Sequence, residues 1–185
     1  MKYIPLVLLF FLIACKCKDG MTFLLDEEFK SYTDFPEGSW WVYEKAGDPS
    51  LTDSIYLYRI TEKLFTRRGS CDEYQQIFYH AFRFRDKDTT EIFWNSRYFT
   101  DSTKIERPVF WFGVQYVFAI PIPTQPTNIM EIEVINGIEY YKTITYSHKA
   151  SNFILLETYA KDVGVTRRMY QDSSLFEIKK YFINR

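Results

Sequence analysis

Histidine is nearly missing from this chain: His80 and His148 are its only two in 185 residues, and neither stands beside the other or beside a tight cluster of carboxylates. A tetrahedral metal site needs grouped nitrogen, sulfur or carboxylate ligands, so neither a metal nor a cofactor is expected. Glycine and proline number seven each, and no glycine-rich phosphate loop, zinc-protease helix or nucleophile elbow occurs among them. Three cysteines are too few for a disulfide scaffold, and Cys71 has no neighbour in sequence that would activate a thiol. Neither sign of charge is in surplus, since 23 Lys and Arg meet 24 Asp and Glu for a formal net charge of −1. A binder of phosphate backbones shows a basic excess or stripe. Nucleic acid is therefore not an expected partner, and the pairs Arg67-Arg68 and Arg167-Arg168 read as solvated turn and strand residues. Acids are plentiful, but Glu27-Glu28 reads as a helix start and Glu131 with Glu133 as the wet face of a strand. The chain reads as a non-enzyme.

A long hydrophobic run is also lacking. The longest, Tyr3 to Ala14, is twelve residues and ends in Cys15-Lys16-Cys17-Lys18-Asp19, against about 20 needed to cross a bilayer. With Lys2 ahead of it and Leu12-Ile13-Ala14-Cys15 closing it, the run has the parts of an export signal and the order of a bacterial lipobox. Cleavage between Ala14 and Cys15 would leave a thiol for acylation, and two acyl chains suffice for stable anchoring. The expected division is a lipoprotein signal peptide over residues 1–14, a lipidated tether over 15–22 and one β-rich domain over 23–185. Removing the signal leaves 171 of the 185 residues, enough for a sizeable core. Lys16, where an aspartate would favour inner-membrane retention, points to the outer membrane, at its periplasmic face or at the cell surface. Cys17 and Cys71 then remain in a compartment where disulfides persist; they are candidates to pair, the alternative being two free thiols.

Leu24 to Tyr32 reads as a short helix with Phe29 and Tyr32 on one side. From Phe35-Pro36-Glu37-Gly38 onward, aromatic and β-branched runs alternate with turn residues, the pattern of an all-β domain. Strands are predicted near residues 39–44, 54–65, 74–85, 91–99, 109–120, 129–135, 138–147, 153–160, 163–171 and 175–183. Asn136-Gly137 predicts a tight hairpin turn. Met130, Ile132 and Val134 alternate with Glu131 and Glu133, which predicts one buried and one wet face. Val109 to Ile120 is apolar on both faces, as in a strand that lines a cavity, and Pro121 to Pro126 reads as an extended loop. Short turns between neighbouring strands favour an antiparallel curved sheet, a half-barrel or barrel of about eight to ten strands, over a two-layer β-sandwich.

Aromatics are the compositional excess: 17 Phe, 15 Tyr and 4 Trp. Most should be core. Adjacent strand residues point to opposite faces, so one of Trp40 and Trp41 must face outward. Trp40, Trp41, Trp94 and Trp111 are the candidate ligand-stacking residues. Asp53-Ser54-Ile55, Asp88-Thr89-Thr90 and Asp101-Ser102-Thr103 resemble the O-glycosylation pattern of exported Bacteroidetes proteins, making Ser54, Thr89 and Ser102 candidate acceptors. Asp-Ser and Asp-Thr pairs also begin turns for local hydrogen-bonding reasons.

The segments Phe35 to Glu44, Asp53 to Leu57, Val163 to Arg168 and Phe176 to Tyr181, taken with the lipobox, make the chain resemble a family of small Bacteroidetes (Flavobacterium-like) lipoproteins with a β-rich domain. Lys16 to Asp19 also resembles the charged tether signals of their surface-displayed members. The resemblance implies a compartment and a β fold, and brings no catalytic residue. The expected role is binding or scaffolding in the cell envelope, with a partner protein or glycan as target. The alternatives are a carrier or sensor of an apolar ligand held in a half-barrel cavity and, third, a glycan-acting enzyme.

Overall fold

The computed structural model describes residues 20–66, 69–85, 87–100, 106–114, 120–121, 127–147 and 154–185. In chain order its elements are β1 (Thr22–Phe23), α1 (Glu27–Thr33), β2 (Trp40–Lys45), β3 (Asp48–Thr66), β4 (Glu73–Arg85), β5 (Asp88–Thr100) and β6 (Glu106–Val114). There follow β7 (Ile120–Pro121), β8 (Asn128–Ile135), β9 (Ile138–Ser147), β10 (Ile154–Ala160), β11 (Gly164–Tyr170) and β12 (Leu175–Phe182). All twelve strands belong to one sheet, ordered β7-β6-β5-β4-β3-β2-β12-β11-β10-β9-β8, with β1 beside β4. Two antiparallel meanders are thus joined where β12 pairs with β2. β1 alone runs parallel, Thr22 opposite Glu73 and Phe23 opposite Tyr74. It takes the length of β4 that β5 leaves free, since the β4–β5 ladder begins at Gln76.

The sheet is strongly curled into a half-barrel. Trp94 of β5 and Tyr159 of β10 line the same interior space, although six strand spacings would separate them by about 29 Å in a flat sheet. Two-residue periodicity makes the inner face: Trp41 and Tyr43, Ile55 and Leu57, Ile77, Tyr79 and Ala81, then Ile92 and Trp94 all fall in one buried cluster. Helix α1 closes the hollow. Asp26 caps it by accepting from the Phe29 amide, with Glu27 and Glu28 in the first turn where the helix dipole favours acids. Tyr32 and Phe35 follow into the core. Phe35 meets Trp41 edge-on at 5.3 Å, and Trp41 Nε1 donates to the Val163 carbonyl at 2.6 Å. Gly164 makes that fit possible, because its φ is +90° and a Cβ there would lie 2.9 Å from the Phe35 ring.

The structure corrects several sequence expectations. Two very short strands, β1 and β7, raise the count above ten, and the single strand expected over 109–120 is β6 and β7 with residues 115–119 outside the described set. Residues 122–126 of the proline loop also lie outside it, while Pro121 belongs to β7. β8 does not bury its aliphatic face. Ile132 and Val134 stand 49% and 59% exposed, while Glu133 is half-buried against Arg167 Nη1 at 2.7 Å. Arg168 is no solvated strand residue. It is buried beside a buried Glu157, Nε to Oε1 2.7 Å, and the Tyr159 hydroxyl donates to the other carboxylate oxygen. Burial opposes the Arg168 charge, but the Glu157 carboxylate holds its pKa well above the ordinary value. A second pair, Asp53 with Arg83, is bidentate and shares Arg83 with the Tyr170 hydroxyl.

A broken buried pair leaves an uncompensated charge, which costs about 3–5 kcal/mol. Glu157→Ala is expected to lose that much in chemical denaturation. The double variant Glu157→Leu with Arg168→Met should recover most of it, because an apolar replacement carries no desolvation cost.

Candidate functional site

Curling protects one face of a sheet and leaves the other wet. On the outer face the ladders bring aromatic side chains into cross-strand register. Phe182 of β12 lies opposite Trp40 of β2, Trp40 opposite Tyr56 of β3, Tyr56 opposite Phe82 of β4, and Phe82 opposite Glu91 of β5. The row crosses five strands, about 19 Å at the usual spacing. Tyr56, Phe82 and Phe182 are 42%, 37% and 48% exposed, and Trp40 is half-buried with its ring stacked 6.3 Å from Phe182.

A β-bulge thickens the row. The β3–β4 register passes from Leu57 opposite Ala81 to Arg59 opposite His80, so Tyr58 is the extra residue. Its ring stacks on Phe82 at 4.6 Å and its hydroxyl donates to Glu91 Oε1. That bond raises the Tyr58 pKa and keeps the hydroxyl a donor. His80 tilts against Tyr58 at 6.2 Å, beside Phe93 on β5. Lys180 Nζ sits 5.8 Å over the Trp40 ring. The surface thus combines open aromatic faces with a rim of both charges and hydroxyls.

Of the stacking candidates whose side chains are described, Trp40 alone reaches this surface. Trp41 is 3% exposed, and Trp94 is buried in a stack with Tyr79 at 5.3 Å; both are corrected to core residues. The Trp111 side chain lies outside the described residues. Ser54 and Thr89 flank Phe84 on the next outer row; Thr89 is exposed and Ser54 half-buried in mid-strand. Ser102, Ala14, Cys15 and Cys17 lie outside the described residues. Cys71 is disulfide-bonded.

Two concave features compete with the row. The interior space bounded by Tyr32, Phe35, Trp41, Trp94 and Tyr159 measures about 40 Å³, far below the roughly 300–1,000 Å³ of small-molecule sites. A more open cleft of about 360 Å³ is lined by Arg83, Arg85, Asp88 and Thr90. Arg83 is tied to Asp53, and Arg85 lies over Phe176 and Tyr170, 4.9 and 5.4 Å from their ring centres, so this cleft presents both signs of charge. Among the described residues no three His, Cys, Asp or Glu side chains gather as a metal site.

Fold and site together define a curled single-sheet protein with an aromatic outer face. The chain matches no family model, no curated protein and no solved structure.

The row, unlike the core, should matter little to folding. Replacing Tyr56 and Phe82 together by Ser is expected to keep stability within about 1 kcal/mol, as for exposed substitutions away from caps and buried groups. A denaturant titration checks this; a loss near 4 kcal/mol would make the row structural.

Proposed function

We propose that this chain is a non-enzymatic lipoprotein of the cell envelope, held through Cys15 at the outer membrane, whose outer aromatic row binds glycan. The observation that carries the binding role is the register of Phe182, Trp40, Tyr56 and Phe82 across four strands. Contiguous exposed apolar surface is unfavourable for a soluble domain and marks interaction sites. Sugar rings suit it because their C–H faces are apolar and meet the negative face of an aromatic ring, while hydroxyls at their edges find the Tyr58 hydroxyl, Glu91 and Lys180 along the rim. Hydrolysis would require two carboxyl groups flanking one bond at about 5–10 Å, and among the described residues the row carries one carboxylate, Glu91. The order Leu12-Ile13-Ala14-Cys15 supports the anchor, and the resemblance to Bacteroidetes lipoproteins supports the compartment.

Trp40 supplies the readout. Titrating a panel of envelope and dietary polysaccharides is expected to quench part of the tryptophan emission for at least one of them. Trp40→Ala should weaken that glycan by tenfold or more, and a flat response of the native protein across the panel removes the glycan reading. A protein partner would then be the remaining binder class. For the anchor, cells fed labelled fatty acid should incorporate it into the native chain and not into Cys15→Ser; label in the variant would exclude lipidation at that thiol.

A further inference from the structure

Residues 20–25 zip onto the strand that begins β4. Met21 N donates to Asp72 Oδ1 at 3.0 Å, Glu73 N donates to the Met21 carbonyl at 2.8 Å, and Leu25 N donates to Gln75 Oε1 at 2.7 Å. Phe23 stacks on Tyr74 at 5.1 Å. The pairs Thr22 with Glu73 and Phe23 with Tyr74 keep one parallel offset. Two residues back, the same offset sets Gly20 against Cys71, where an added Cβ would lie 1.8 Å from the Cys71 carbonyl oxygen. Only glycine allows the chain so close. Cys71 itself is disulfide-bonded, and the chain holds two other cysteines, Cys15 and Cys17.

We infer that Cys71 is bridged to Cys17 and that this bridge turns the β3–β4 end of the domain toward the bilayer, making Met21, Leu24 and Leu64 a lipid-facing patch. The inference rests on the lipoprotein reading: a sulfur spent on a thioether to lipid cannot also form a disulfide, which leaves Cys17. Closing the bridge converts two thiols to one disulfide, and an envelope protein disulfide takes up the two electrons and two protons by exchange. Cys17 is three residues from Gly20 and Cys15 five, so the acylated residue stays within about 18 Å of the Gly20–Cys71 contact. The three patch residues are exposed by 63%, 57% and 47%. Leu64 faces Gln75 across the ladder, on the stretch that the 20–25 segment covers. Phe82 lies eight residues along β4 from Tyr74, about 27 Å at the strand rise, so the aromatic row is carried clear of the lipid.

The test uses the full acylated chain in vesicles of phosphatidylethanolamine and phosphatidylglycerol. Peptide mapping without reductant should find acyl groups on Cys15 and a Cys17–Cys71 link. Acylated Cys15 with a free Cys71, or with Cys71 joined to a second copy, overturns the bridge and leaves the anchor standing; a Cys15–Cys71 link overturns both. For orientation, benzoylphenylalanine at Leu64 should label lipid at least fivefold more than at exposed Phe84, near the opposite end of β4. Cys17→Ser should at least halve that ratio. Equal labelling at the two positions overturns the orientation.

Discussion

A single sheet has no partner layer, and everything in this molecule follows from burying one face by curvature alone. The curl brings Trp94 and Tyr159 to a common interior, and the hollow it makes is plugged from within by α1 and Phe35. Interior strands that meet from so many directions cannot all present aliphatic groups. Two buried ion pairs lie among the interior side chains, Arg168 with Glu157 and Arg83 with Asp53. Such pairs contribute little net stability against apolar replacements; each lies within one meander, and it is the Arg83 bond to the Tyr170 hydroxyl that crosses from one meander to the other.

The same constraint explains why the outer face is informative. Nothing in the fold requires rings at Tyr56, Phe82 or Phe182, since a solvated sheet face is ordinarily polar. Their alignment across neighbouring strands means that substitutions on separate strands converge on one surface, which propensity for β structure does not produce by itself. The inner cavity, about 40 Å³, shows that the aromatic excess inside serves packing.

Sequence periodicity made much of this legible. Asn136 and Gly137 both take positive φ, 51° and 76°, as a tight turn between β8 and β9 demands, and Asp26 to Thr33 formed the helix near its expected place. Alternation reveals two faces without saying which one is inside, and β8 shows the consequence. Its aliphatic set is exposed, while Glu133 is half-buried against Arg167, on the face of β11 opposite the buried Arg168. For the same reason Arg167 and Arg168 look alike in sequence, yet differ by a buried carboxylate across the ladder from one of them. Trp40 and Trp41 had to diverge, but their order depended on the pairing of β2 with β3 and β12. The contact of Gly20 with Cys71 spans fifty-one positions and leaves no local trace.

The bulge at Tyr58 has a genetic side. Most single-codon deletions in a long strand exchange its faces from that point onward, because side chains alternate with a strict period of two. In the β3–β4 ladder Tyr58 escapes this rule. Dropping Tyr58 would join Leu57, opposite Ala81, directly to Arg59, opposite His80, restoring regular pairing with every other residue on its present face. The framework would be complete without that codon, whereas the outer aromatic row would lose the ring stacked on Phe82 and the hydroxyl held by Glu91. Tyr58 thus serves the outer surface and not the β3–β4 ladder, which pairs on either side of it.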